Sequence, residues 1–485
     1  MTENEFLREV CAQNIALVKQ LAAANAQIAS LTEQVAVLTE RVNELLNQKK
    51  KNSNNSSRPP SGDGYSKPAP KSLKQPSGKK PGGQKGHKGS SMKLLREPDE
   101  IREHYPSACA SCPNRALCQM RIAERRYEQD MIIRTHIIEH RQMACCCPKC
   151  GNDAVKGAFP AHITATKQYG HNIISFASAL STVGMVSIDR IQKLLSSVFQ
   201  ISISTGTIQN GLRRLYEQVK TPVKYIRNKV SQLPLLHCDE TGLRVDKKLR
   251  WLHCMCDSEW SYYVLHDKRG TEAMEAIGLL PEYRGILLHD FWKSYFVYDQ
   301  AEHAMCCAHL LRELVYAEEV KHQDWAKPLR ELLVEILAER KRLSEAGSNC
   351  FSSTQMEEFY SRYDALIAKG LGENPLSTRE KGKMGAPKKG EIRSLLERFR
   401  DYKPQILRFA VDWSIPFTNN EAERSIRFSK VKGKVSGCFR TKQGAEEYVT
   451  IMSYINTAYK HGVDFFTATK AALVGNALPL VAQWG

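Results

Sequence analysis

No apolar run in this 485-residue chain approaches the ~18 residues a membrane span needs. Residues 1–7, MTENEFL, lack the basic start and apolar stretch of a secretory leader. A membrane or secreted protein is therefore not expected. Acidic residues are also short: 52 Asp+Glu stand against 70 Lys+Arg, a formal net charge of +18. Such an excess argues for an anionic partner, with nucleic acid the first candidate. Hydrophobic residues make up 42% of the chain and charged residues 25%, the balance of an ordinary globular protein. At roughly 150 residues per domain, the length predicts about three domains.

Glycine and proline are missing altogether from residues 7–46. There one heptad register reads Leu7, Asn14, Leu21, Ile28, Val35, Val42, and its companion reads Val10, Leu17, Ala24, Leu31, Leu38, Leu45. Mostly apolar residues at a and mainly Leu at d favour a parallel coiled coil, with Asn14 fixing register. Residues 1–48 are thus expected to be a coiled-coil helix that makes the protein a homodimer or a higher oligomer. The alternative is one amphipathic helix lying on its own domain.

Residues 49–98 form the opposite kind of segment, rich in Gly, Pro, Ser and Asn and without any apolar period, so no core can form. Between Lys49 and Gly89 there are eleven Lys+Arg and one acid, Asp63. A net +10 over that length suits a flexible arm that follows a phosphate backbone, through Lys79, Lys80, Lys85 and Lys88 among others. A solvated linker is the plainer reading.

Seven of the fifteen cysteines lie between Cys109 and Cys150. In a reducing cytosol, clustered CxxC pairs bind metal more often than they form disulfides. Cys109, Cys112, Cys147 and Cys150 make two such pairs, and four thiolates around one tetrahedral Zn2+ form a closed structural site. Such a site stabilises a small module, here residues 99–160, with the alternating stretch Arg126–Met143 expected as strands. Cys118 can substitute for Cys112, and Cys145 or Cys146 can be ordinary strand residues. Residues 161–230 read as helices. Within them Ser187–Arg214 has two short helices and a turn at Gln200–Ser204, the pattern of a DNA-binding helix-turn-helix or of a plain helical hairpin.

From Gln232 the period changes. The run LPLLHC ends in Asp239-Glu240-Thr241-Gly242, and two further alternating runs follow, RWLHCMC and WSYYVLH. A helix over Thr271–Leu280 then leads to GILLH, which ends in Asp290. Three strands, a helix and a fourth strand open a ribonuclease-H-like α/β fold. Its first and fourth strands are neighbours, so Asp239 and Asp290 can face each other and hold a hard cation such as Mg2+. A third acid is expected from Pro416–Arg424. With Thr418 as N-cap, Glu421 completes a capping box and Glu423 is left free to enter the site. The following Arg424–Lys442 has seven basic residues and no acid. Arg424, Arg427, Lys430, Lys432 and Lys434 are its candidate DNA contacts.

The interval from Asp290 to Glu423 is too long for a loop and mostly helical in pattern. The fold expected is multidomain α/β, a ribonuclease-H-like catalytic core split into residues 231–305 and 416–485 by a helical insertion at 306–415. Cys306-Cys307-Ala308-His309 at the entry to the insertion has CxxH spacing, but it reads equally well as a buried helix start, and no zinc is assigned to it.

These segments together resemble the large transposase subunit of the bacterial insertion sequences of the family numbered 66, which are DDE transposases. The resemblance rests on SSRPPSGDG and GKKPGGQKGHKG in the linker, the paired CxxC module, and HCDETGLRV with WLH downstream. HDFWKSY, CCAHLLREL and TNNEAERSIRFSKVKGKVSG complete it, in the family's order. It implies a catalytic triad of Asp239, Asp290 and Glu423 working with two Mg2+ ions in cleavage and strand transfer of insertion-sequence DNA. It also implies DNA as partner, both transposon ends and target, two small accessory proteins of the same element, and a place in the bacterial cytoplasm with the nucleoid. The rival readings are a non-enzymatic zinc-containing DNA-binding regulator and a nuclease that cuts without joining.

Overall fold

The computed structural model describes residues 3–52, 55–56, 86, 96–105, 113–114, 117, 121–131, 133–145, 155–376 and 389–484. Two compact units divide the chain. One comprises Met1–Lys71, Thr164–Ile191 and Ser204–Gly485; the other comprises Ser72–Ile163 and Gln192–Ile203. The proposed zinc ligands Cys109, Cys112, Cys147 and Cys150, and the arm residues Lys79, Lys80, Lys85 and Lys88, lie outside the described residues.

The smaller unit has little regular structure among its described residues. A two-residue antiparallel pair joins Ala144–Cys145 to Val155–Lys156. The strands expected over Arg126–Met143 do not form: residues 126–131 and 133–143 carry no ladder. Their apolar side chains face solvent, Ile137 at 87% exposure and Met143 at 72%. Alternation alone does not make a strand where no neighbour supplies hydrogen bonds or a face to cover.

Helix α1 (Glu3–Lys49) is unbroken, as its lack of Gly and Pro predicts. Its heptad residues from Asn14 to Leu45 are exposed, Leu21 at 64% and Leu38 at 63%. Helices α2 (His171–Thr182), α3 (Ile188–Phe199) and α4 (Thr205–Val230) follow. At the start of α4 the Ser204 hydroxyl accepts the Thr207 N–H at 3.0 Å and caps the helix.

The core is a five-stranded mixed sheet. Strands β1 (Leu235–Val245), β2 (Lys248–Cys256) and β3 (Ser261–His266) form an antiparallel meander. After α5 (Thr271–Ile277), β4 (Ile286–His289) pairs parallel with β1, and β5 (Glu302–Met305) pairs parallel with β4. The order is β3-β2-β1-β4-β5, so the first and fourth strands are neighbours. The first strand does not end at Cys238. It runs through Asp239–Gly242 to Val245, and it turns at Asp246 and Lys247, both in the left-handed region with φ of 48° and 60°.

Helices α6 (Cys307–Glu319), α7 (Ala326–Glu345), α8 (Ser353–Glu373) and α9 (Glu391–Asp401) follow the sheet, then the short turns α10 (Lys403–Ile406) and α11 (Arg408–Val411). They enclose their own core around Trp325, Leu329, Tyr363 and Phe399. Arg340 ties the chain back to them by donating to the carbonyls of Phe409 and Ile415, each at 2.8 Å.

The C-terminal helices are α12 (Asn420–Ser425), α13 (Arg427–Ser436), α14 (Lys442–Lys460), α15 (Phe465–Leu473) and α16 (Ala477–Ala482). Ala422, Ile426, Phe428, Tyr448 and Met452 pack on the inward residues of β1, β2 and β3. Helix α14 also covers the open edge of β3. There the Tyr263 N–H donates to Ser453 Oγ at 3.0 Å and the Ser261 N–H to Thr457 Oγ1 at 3.1 Å. Side-chain hydroxyls thus satisfy an edge that would otherwise be left to pair with another chain. No helix among the described residues is long and apolar enough to cross a membrane.

Candidate active site

Strand register brings the two aspartates together. His237 on β1 pairs with Leu288 on β4, and Asp239 and Asp290 each follow two residues later. Asp239 lies within its strand, whereas Asp290 sits just past the end of β4. The Glu240 N–H donates to Asp239 Oδ1 at 2.9 Å, and the Trp292 N–H donates to Asp290 Oδ1 at 3.0 Å. Burial, then the charges of Glu240 and Asp290, raise the Asp239 carboxyl well above its ordinary range.

Adjacent strand residues point to opposite faces, which separates Glu240 from Asp239. Glu240 is buried and fully engaged: Arg269 Nε reaches Oε1 at 2.7 Å and the Tyr295 hydroxyl donates to Oε2 at 2.6 Å. The Arg269 guanidinium in turn lies 3.7 Å from the ring centre of Trp292. A cavity of about 260 Å³ opens beside Asp290, bordered by Arg269, Trp292, His309 and Arg398.

The third acid comes from α12, and Asn419 places that helix. Asn419 is 3% exposed. Its side-chain amide donates to the Cys238 carbonyl at 2.7 Å, its Oδ1 accepts from His237 Nδ1 at 2.8 Å, and its backbone N–H reaches Cys306 Sγ at 3.1 Å. One residue therefore fastens the start of α12 to β1 and to the start of α6.

The capping box expected at Thr418 does not form. Asn419 occupies the N-cap position and makes no side-chain cap, because its Oδ1 accepts from His237 Nδ1 instead. Glu421 pairs instead with Lys460 at 3.0 Å. Glu423, one turn into the helix, meets His309 Nε2 at 3.1 Å. Burial pushes the Glu423 carboxyl up, but the His309 hydrogen bond and the charges of His309, Arg312 and Arg427 outweigh it and leave it lowered.

Asp239 and Glu423 act on each other electrostatically. They do not close a tight three-carboxylate cluster with Asp290. Among the described residues, the group whose ligand atoms all lie within 4.8 Å of one another is Cys306, His309 and Glu423. The CxxH spacing was the only sign of this group in the sequence, and nothing local pointed to the anchoring roles of Asn419 or Arg269.

The basic stretch divides by helix face. Arg427, Lys430 and Lys434 on α13 are exposed at i, i+3 and i+7, and Arg424 precedes them on α12. Lys430 also lies near enough to Asp239 to feel its charge. Lys432 breaks the expectation of a DNA contact. It is buried, its ammonium donates to the Ser181 carbonyl at 3.0 Å, and burial lowers it to about 8.

Residues 167–447, more than half of the chain, match the family model described as Transposase IS66 family. Residues 12–93 match a family of unknown function, DUF6444. No curated protein matches the chain significantly.

Proposed function

The chain belongs to the IS66 transposase family, and from that premise we propose that it is a DDE transposase that cleaves insertion-sequence DNA and joins the freed 3′ end to a target. The observation carrying this reading is the β1–β4 register, which sets Asp239 beside Asp290 with Glu423 in electrostatic reach. The strand order β3-β2-β1-β4-β5 supports a ribonuclease-H-like core, with α6–α11 as the helical insertion.

The residues fit a divalent cation. Asp239 is half-buried among like charges, and neither it nor Asp290 has an ion-pair partner among the described residues, a charge surplus that a hard cation relieves. Asp239, Asp290 and Glu423 would hold Mg2+. The chemistry bound Mg2+ supplies is Lewis-acid stabilisation of the phosphoryl oxygens and a more acidic attacking hydroxyl. The protein's own part is positioning. Asn419 fixes the helix of the third acid, and Arg269, backed by Trp292 and anchored on Glu240, gives the cavity wall a cationic edge. Arg424, Arg427, Lys430 and Lys434 offer exposed charges for DNA phosphates beside the carboxylates. The paired CxxC cysteines would hold structural Zn2+, and α1 would join two copies.

The test is cleavage of the element's own ends. Asp239→Asn and Asp290→Asn should each abolish Mg2+-dependent strand cleavage while end binding persists. Retained cleavage in either variant overturns the assignment. Following labelled ends into a target plasmid separates transposition from cutting alone.

A further inference from the structure

We propose that Cys306, His309 and Glu423 form a separate site for a soft divalent ion such as Zn2+, and that its occupation withholds Glu423 from Asp239 and Asp290. The second clause rests on the catalytic reading above; the site itself does not.

The first two ligands come from one helix start. Cys306 is the N-cap of α6 and His309 its third residue, and side chains at those two positions lie on the same side of a helix's first turn, as in a capping box. The third ligand is brought by α12, held in place by the Asn419 N–H on Cys306 Sγ and by the Cys307 N–H on the Phe417 carbonyl at 3.0 Å. The three ligand atoms lie within 4.8 Å of one another, and His309 Nε2 is 3.1 Å from Glu423 Oε1. Two ligands each about 2.0–2.1 Å from a tetrahedral Zn2+ are themselves roughly 3.3 Å apart. The imidazole and carboxylate already have that spacing.

Donor chemistry then selects the ion. Thiolate and imidazole favour Zn2+ strongly, whereas Mg2+ takes oxygen and keeps its waters. The cavity beside Asp290 is lined by both Cys306 and His309 and gives an ion a route in. Binding replaces the Cys306 thiol proton with a sulfur–zinc bond and releases that proton to solvent. Three protein ligands leave a fourth position for water. A Glu423 carboxylate bound to this ion is not free to join the two aspartates, so the soft ion and the catalytic cation compete for one residue.

The experiment uses the full-length protein with its structural zinc retained. Zinc bound per chain is counted after equilibration with added Zn2+, for the wild type and for Cys306→Ser, which keeps an acceptor for the Asn419 N–H. Wild type should hold one zinc more than the variant, and His309→Gln should lose the same single ion. Equal counts in all three proteins overturn the site. In Mg2+-dependent cleavage, added Zn2+ should inhibit wild type. Cys306→Ser should need a higher Zn2+ concentration for half-inhibition, by roughly tenfold or more, since even outer-shell changes cost about 10–100-fold in affinity. Unequal counts with equal inhibition would overturn the competition for Glu423. If wild type showed no cleavage at all, the catalytic reading would fail while the zinc count still decided the site.

Discussion

Asn419 donates its side-chain amide to the Cys238 carbonyl at 2.7 Å, so the helix carrying Glu423 is hydrogen-bonded to the residue directly before Asp239. Two segments about 180 residues apart in sequence are joined by that bond, and the same side chain accepts from His237. Removing it leaves two buried polar groups without partners, each worth about 1–3 kcal/mol. Asn419→Ala should therefore lower the melting temperature. At temperatures where the variant stays folded, single-turnover cleavage should slow while end binding is kept. Unchanged cleavage would show that Asn419 has no part in placing Glu423.

Asp239 makes a prediction in pH. Burial, then Glu240 and Asp290, raise its folded pKa above the ordinary value of about 4. A group raised on folding contributes stability fully below its unfolded pKa and loses it as pH climbs towards the folded value. In Mg2+-free buffer, Asp239→Asn should thus gain melting temperature over wild type as pH rises from about 4 towards neutrality, and gain nothing in acid. Added Mg2+ should raise wild type more than the variant, because only the folded carboxylate binds it. Parallel melting curves at every pH would contradict this account.

How far these features could be read from residues depended on how local they were. The strands expected within Leu233–Cys238, Arg250–Cys256 and Trp260–His266 and the α6–α8 helices follow from period, and the neighbouring of the first and fourth strands from the fold that their order suggested. Asp239–Gly242 close the apolar run with polar or small residues, so the period gives no sign that the strand continues to Val245. It continues because β2 pairs with it residue by residue, a non-local cause. The four-residue β5, Glu302–Met305, has too little alternation to be noticed. Thr418 looked like a cap, but the helix begins one residue later, where Asn419 is held by His237, Cys238 and Cys306. Lys432 looked like its basic neighbours, yet it is on the inward face with Phe428.

That burial separates the basic residues of α13 into two kinds. Lys432→Met takes away the ammonium that holds the Ser181 carbonyl, so it should lower stability and leave the salt dependence of DNA binding unchanged. Arg427→Ala and Lys434→Ala should do the reverse. Removing one cation from a DNA phosphate should reduce the slope of log affinity against log salt by about 0.9, with little change in melting temperature. Binding titrations at several salt concentrations would decide it. A reduced slope in Lys432→Met would return that residue to the DNA-binding face.

Helix α1 predicts an oligomer. Forty-seven residues at 1.5 Å each make a rod of about 70 Å, and its heptad positions Leu17, Leu21, Ile28, Leu31, Val35 and Leu38 are all about 60% exposed in the single chain. A stripe of that length is unfavourable in water, and a second copy in parallel register would cover it with a and d residues packed knobs into holes. Asn14 would then face Asn14 of the second copy, which sets register at a cost in stability. Full-length protein should run as at least a dimer by light scattering, and Leu31→Asp with Leu38→Asp should halve its mass or more. These charges fall on exposed positions of one chain, so the melting of the sheet domain should not move. A monomeric wild type would mean that the stripe is covered in some other way.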